Sequence, residues 1–145
     1  MNKAVNAIQK TFLKSPHFAV VGASKDQSKF GTKILKWYQV RSFDVTPIHI
    51  KEPELEGLKT LQSIAELPHP RETSVSIITP PKVTLGILEQ AKEVGIPALW
   101  LQPGAEDESV VEYINKNGLA DRVIYGGPCL LVRGDDVVRS LLNFT

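Results

Sequence analysis

The residues of this chain best placed to do chemistry are small ones. Val21-Gly22-Ala23-Ser24 leaves an apolar run, and Phe30-Gly31 stands where a helical pattern begins. A helix start exposes backbone N–H groups and a partial positive charge, which suits a phosphate. Gly22 and Ala23 leave room for close approach, Ser24 adds a hydroxyl, and Lys25 and Lys29 add cations. A plain strand-to-helix turn with solvated lysines is the competing reading. The G-x-G-x-x-G fingerprint is absent; Gly22-Ala23-Ser24-Lys25-Asp26-Gln27 stands in its place.

After the second apolar run, an NAD site wants an acid for the ribose hydroxyls. The chain has Pro47-Ile48-His49-Ile50-Lys51, with Glu52 only beyond the lysine. A cation there favours a ligand carrying an extra phosphate on its adenosine ribose, as coenzyme A and NADP do. His49 is the histidine nearest this site, read as a ring beside a ligand or in solvent rather than a general base. His17 and His69 fall elsewhere, and no spacing of His, Asp or Glu points to a metal. Cys129 follows Gly127-Pro128 near the mouth of the same region and reads as an inert, buried thiol, since reactive cysteines need an electropositive setting. Asp135-Asp136 and Glu106-Asp107-Glu108 read as acids at helix starts, and Trp37 and Trp100 as core. No G-x-S-x-G elbow is present.

The elements that must position these residues alternate. An amphipathic helix is expected within residues 3–14, stopped by Ser15-Pro16. Strands are expected at 18–21, 43–48, 75–78, 98–101 and 123–125. Helices are expected from Gly31, over 60–67, after Pro80-Pro81 up to Gly95, around Val110–Ile114, and around Val137–Leu142. Buried strands alternating with helices imply a parallel sheet covered on both faces. The expectation is a Rossmann-like, doubly wound α/β fold of five strands in the order 3-2-1-4-5, forming one domain over 1–145. Ligands of such sheets bind beyond the carboxyl ends of the strands. Five loops meet there: 22–31, 47–51, 79–82, 102–104 and 126–129.

Composition agrees with a globular domain: 145 residues, 42% hydrophobic and 23% charged. Seventeen basic against sixteen acidic residues leave a formal charge of +1, which argues against a nucleic-acid or membrane-surface protein. One cysteine excludes an internal disulfide and favours a cytoplasmic setting. No apolar stretch approaches bilayer length, and residues 1–14 do not read as a secretion signal.

Taken together, the Val-Gly-Ala-Ser turn at 21–24, Val45-Thr46-Pro47…Lys51, Thr79-Pro80-Pro81, Trp100-Leu101-Gln102-Pro103-Gly104 and Gly127-Pro128-Cys129 resemble the CoA-binding domain family, the layout that opens the alpha subunit of succinyl-CoA ligase. The resemblance implies a Rossmann-like domain that binds coenzyme A or an acyl-CoA. It implies that Gly22, Ala23, Ser24, Lys25, Lys29, Phe30 and Gly31 hold the pyrophosphate and that Lys51 meets the 3′-phosphate or ribose. Thr79, Pro80 and Pro81 would wall the adenine and pantetheine path, and Leu101, Gln102, Pro103 and Gly104 would line the pantetheine. The ligase goes on to a domain with a phosphorylated histidine and has an acidic residue before its glycine at the fourth exit. This chain has Gln102-Pro103-Gly104 there, so the ligase chemistry is not carried over. The expectation is a small-molecule nucleotide binder, with a homodimer left open. The alternative is a small NADP-dependent oxidoreductase or an acyl-CoA-handling enzyme using Cys129.

Overall fold

The structure, a computed structural model, describes residues 3–142. A leading helix α1 (Lys3–Leu13) precedes β1 (His17–Val21), α2 (Phe30–Val40) and β2 (Val45–Ile48). A small hairpin follows, β3 (Glu54–Leu55) and β4 (Leu58–Lys59). Then come β5 (Thr73–Ile77), α3 (Pro81–Val94), β6 (Ala98–Leu101), α4 (Glu108–Lys116), β7 (Val123–Ile124) and α5 (Leu130–Leu142). The expected leading helix is therefore present, apart from residues 1 and 2, which lie outside the described residues.

Five strands form one parallel sheet in the order β2-β1-β5-β6-β7. The Rossmann-like class holds, but the expected order does not. Counting only the five main strands, the order is 2-1-3-4-5 rather than 3-2-1-4-5. Pro47 supplies the physical reason. It has no N–H to give a ladder, so a strand containing it belongs at an edge. In the expected order that strand would have been flanked on both sides. All five residues of β5 are buried, as a central strand requires, and β5 takes the place beside β1.

Alternation along the strands sends side chains to two separate cores. Phe18, Val20, Trp100 and Ile124 join Phe12, Ile34, Tyr38 and Leu130 under α1, α2 and α5. Ala19, Val75, Leu99 and Val123 join Leu88, Ala91, Val110 and Ile114 under α3 and α4. Helix α1 is tied to this body: Ser74 donates to the Phe12 carbonyl at 2.8 Å and shares a 2.6 Å hydrogen bond with Ser15. Both tryptophans are core residues, Trp37 5% exposed and Trp100 wholly buried. No described helix is long and apolar enough to cross a membrane.

Two local expectations change. Residues 60–67 do not form an α-helix; only Ile64–Glu66 makes a short 3-10 turn. The open edge of β2 recruits the preceding segment instead: His49 N–H donates to the Leu61 carbonyl and Leu61 N–H to that of Pro47. The closing helix begins at Leu130, so Asp135 and Asp136 lie inside it rather than at its start. Asp135 instead takes a two-pronged bond from Arg41, at the end of α2. Gly134 allows this approach, because a Cβ there would lie 2.4 Å from the Trp37 ring.

Candidate functional site at the carboxyl end of the sheet

With β5 beside β1, the order of strands reverses between them, and the crevice opens between the β1 and β5 exits. Two glycines shape it. Gly22 has φ +120°, and a Cβ on it would stand 2.0 Å from the Ile78 carbonyl oxygen. Gly31, in the first turn of α2, approaches Gly22 itself: a Cβ there would stand 2.2 Å from the Gly22 oxygen. The β1 exit, the β5 exit and the start of α2 thus lie in backbone contact, which only glycine permits at both places. Ala23 is 3% exposed and Phe30 packs against the same core.

The turn after Gly22 is partly closed by its own side chains. Ser24 N–H donates to Thr32 Oγ1 at 3.2 Å, and Thr32 O–H donates back to the Ser24 carbonyl at 2.9 Å. Asp26 N–H donates to Ser24 Oγ. The Asp26 carboxylate accepts from the Ser28 hydroxyl at 2.7 Å and the Ser28 amide at 2.9 Å, which together hold its carboxyl below the usual range. The donors left are those of the first turn of α2. Lys29 is its N-cap and offers no side-chain acceptor, and the turn holds no acid. Unpaired amides at a helix start favour an anion.

The two lysines of this loop differ. Lys25 pairs with Glu52 at 2.7 Å, and the hydrogen bond and charge of that carboxylate raise its pKa. Lys29 is exposed and enters no ion pair among the described residues. Lys51 likewise is exposed and unpaired among the described residues. Its loop is nevertheless well fixed. His49 Nδ1 accepts from Lys51 N–H at 3.0 Å and from Glu52 N–H at 2.9 Å, and Thr60 O–H donates to the Glu52 carbonyl.

At the β5 exit, Pro80 is the N-cap of α3 and Pro81 its first residue, while Thr79 bonds Thr84 at 2.8 Å. At the β6 exit the four candidates divide. Leu101 and Gln102 are wholly buried, whereas Pro103 and Gly104 are exposed. Gln102 Oε1 accepts from Leu130 N–H at 3.0 Å and so caps α5, and its Nε2 has no acceptor among the described residues. Glu106 accepts from Gly126 N–H at 2.8 Å, fixing the β7 exit, while Asp107 caps α4 by accepting from Val110 N–H. Cys129 is half-buried there and its carbonyl accepts from Val132 and Arg133.

Thr32 shapes the site without having been singled out from the chain, its signal being a hydroxyl in the first helical turn next to Gly31. Glu52 serves as the partner of Lys25, and Glu106, expected as a helix-start acid, lies before α4 and fixes the β7 exit instead. His17 lies at the opposite end of the sheet, bonded to Asp44 at 2.6 Å and stacked on His69. No group of three or more metal-ligating side chains converges among the described residues.

Comparison with known proteins agrees with this layout. A solved structure of a conserved hypothetical protein from Pyrococcus furiosus is 37% identical, with a TM-score of 0.73, over 81% of this chain and 97% of that one. The alpha subunit of the ADP-forming acetate–CoA ligase II of Pyrococcus furiosus is 27% identical over 121 residues. That match takes in 74% of this chain and 26% of the subunit, so the chain spans about a quarter of the ligase subunit's length. YneT, an uncharacterized protein of Bacillus subtilis, is 23% identical over 117 residues, 81% of this chain and 86% of its own. The family model for the CoA binding domain matches residues 16–135, from just before β1 into α5. Its span takes in the Gly22–Gly31 turn and all five exit loops, and by that match the chain belongs to the CoA binding domain family.

Proposed function

We propose that this chain binds coenzyme A or an acyl-CoA reversibly, as a binding module without chemistry of its own. The observation that carries the reading is the contact of Gly22 with Gly31, which brings the uncapped start of α2 to the mouth of the crevice. The Phe30 and Gly31 amides hold the pyrophosphate, with Lys29 adding charge. Lys51, on a loop braced by His49, meets the ribose phosphate. Lys25 contributes by joining its loop to Glu52 rather than by offering a free cation. Pro80, Pro81, Pro103 and Gly104 border the path of the pantetheine arm. Leu101 and Gln102 support it from below, being buried.

The test is a thermal-shift panel of coenzyme A, dephospho-CoA, NADP and NAD. A ligand that binds only the native state stabilises it by about 2.7 kcal/mol at a hundredfold excess over Kd. Coenzyme A is expected to raise Tm most, and dephospho-CoA and NAD least. A flat response to all four would overturn the reading, and a response to NADP alone would transfer it to a nucleotide oxidoreductase.

A further inference from the structure

Helices α1 and α5 border a cleft of about 220 Å³ that none of the residues given to coenzyme A lines. Lys10 reaches it from α1, and Arg133, Asp136, Val137 and Ser140 from α5. Arg133 is poorly satisfied there. Its side chain is 34% exposed, yet its Nε is wholly buried and has no hydrogen-bond acceptor among the described residues. Its ion-pair contact is with Asp136, and at 3.7 Å from Nη1 that contact is too long for a hydrogen bond. Asp136 is held elsewhere, since its Oδ1 accepts from Arg139 Nη2 at 3.0 Å. Arg41 shows the contrast, with both prongs of its guanidinium bonded to Asp135.

The rest of the lining narrows the chemistry. Lys10, half-buried, enters no ion pair among the described residues. Ser140 O–H already donates to the Val137 carbonyl at 2.9 Å, so the free donors are those of Arg133 and Lys10. A buried guanidinium N–H without an acceptor costs free energy, and its planar fork matches the two oxygens of a carboxylate. The lining carries two positive charges and one negative, so one further negative charge leaves it neutral. A phosphate dianion would overshoot and meet repulsion from Asp136. The space is below the range that holds drug-sized ligands, so the ligand is an acid of a few heavy atoms.

We propose that Arg133 and Lys10 form a binding site for a small monocarboxylate. Arg133 gives its Nε–H and one Nη–H to the two carboxylate oxygens, and Lys10 adds its ammonium from the facing helix. Val137 supplies an apolar wall for a short tail. The ligand ties α1 to α5 at a point where the protein's own groups leave a buried donor unmet among the described residues. The site is independent of the coenzyme A reading and stands or falls without it.

Proton–nitrogen NMR of the Arg133 Nε–H group tests this, with Arg133→Lys assigning the signal by its loss. Propionate, added at constant ionic strength, is expected to move the signal along a saturating curve. The Arg41 Nε–H signal, already bonded to Asp135, is expected to stay in place. Lys10→Ala is expected to weaken propionate by about threefold, within the range for a partly exposed charge pair. Backbone amide shifts of α1 and α5 follow binding in Arg133→Lys, where loss of the fork is expected to weaken it by about tenfold or more. Phosphate at about pH 8, where it is a dianion, is expected to bind more weakly than propionate. A linear shift without saturation, an equal response of Arg41, tighter binding of phosphate than of propionate, or unchanged affinity in Lys10→Ala each overturns the site. None of these results bears on the coenzyme A panel.

Discussion

Gly31 stands so close to the carbonyl of Gly22 that a methyl group on it would lie 2.2 Å from that oxygen. The atom in the way is backbone, held in turn by the β5 exit, where Ile78 N–H donates to the Val21 carbonyl at 2.8 Å. Neither side can rotate aside as a flexible side chain would.

Gly31→Ala is therefore expected to cost about 1–3 kcal/mol of stability, the range for forcing atoms into a packed region. It is also expected to weaken coenzyme A, because the start of α2 must back away from the crevice. Urea unfolding measures the first effect and titration the second. Unchanged stability would mean that α2 is not seated on the β1 exit.

Lys51→Ala is expected to weaken coenzyme A by about tenfold or more, in keeping with one lost charge-assisted contact. Dephospho-CoA, which lacks the 3′-phosphate, should be nearly unaffected. Equal losses for the two ligands would remove Lys51 from the phosphate role. The fold should tolerate the change, since this side chain is exposed and unpaired among the described residues.

Tyr38, on α2, is wholly buried against Phe18 of β1, with its hydroxyl 2.8 Å from Ser76 Oγ of β5. Burial pushes its pKa well above the ordinary tyrosine value. In the unfolded chain the phenol ionises near pH 10, while in the native state it stays neutral. Above that pH the unfolded state binds fewer protons than the native one, so stability falls with pH by about 1.4 kcal/mol per unit from this group. Denaturation midpoints between pH 9 and 11 should show the fall, and Tyr38→Phe should flatten it. An equal slope in the variant would assign alkaline unfolding to other groups.

Cys129→Ser is expected to leave coenzyme A affinity within about twofold, since the contacts that fix Cys129 in the β7 exit run through its backbone carbonyl. Incubation with an acyl-CoA, followed by mass spectrometry of the intact protein, distinguishes the enzymatic alternative. A stable acyl adduct on wild type that is lost in the variant would show Cys129 handling acyl groups.

Much of the molecule could be read along the chain. Apolar runs bounded by glycine and proline located all five main strands, and the Gly95 cap, with φ +83°, ended α3 where expected. The hairpin was missed because its turn, Glu56-Gly57, lacks the Asn-Gly signature, although both residues adopt positive φ. Residues 60–67 carried a helical spacing, but the vacant edge of β2 offered hydrogen bonds that outweighed it. Asp135 resembled a helix-start acid because it precedes the apolar positions Val137 to Leu142 and acids suit a helix start, whereas α5 begins five residues earlier, at Leu130. Trp37 lies on α2, far along the chain from any helical pattern around Gly134, yet its ring determines why glycine stands there.

The chain by itself determined which segments are strands, which turns are built from small residues, and that a lysine stands three residues beyond β2. Those properties are local: they follow from side-chain volume, spacing and backbone freedom within a few residues. Tertiary structure decided which strand lies beside β1, which lysine is neutralised by Glu52, and which backbone groups the His49 ring braces. Each of these depends on partners brought together from separate parts of the fold, and pairing energies between distant groups leave no periodicity in the chain to be read.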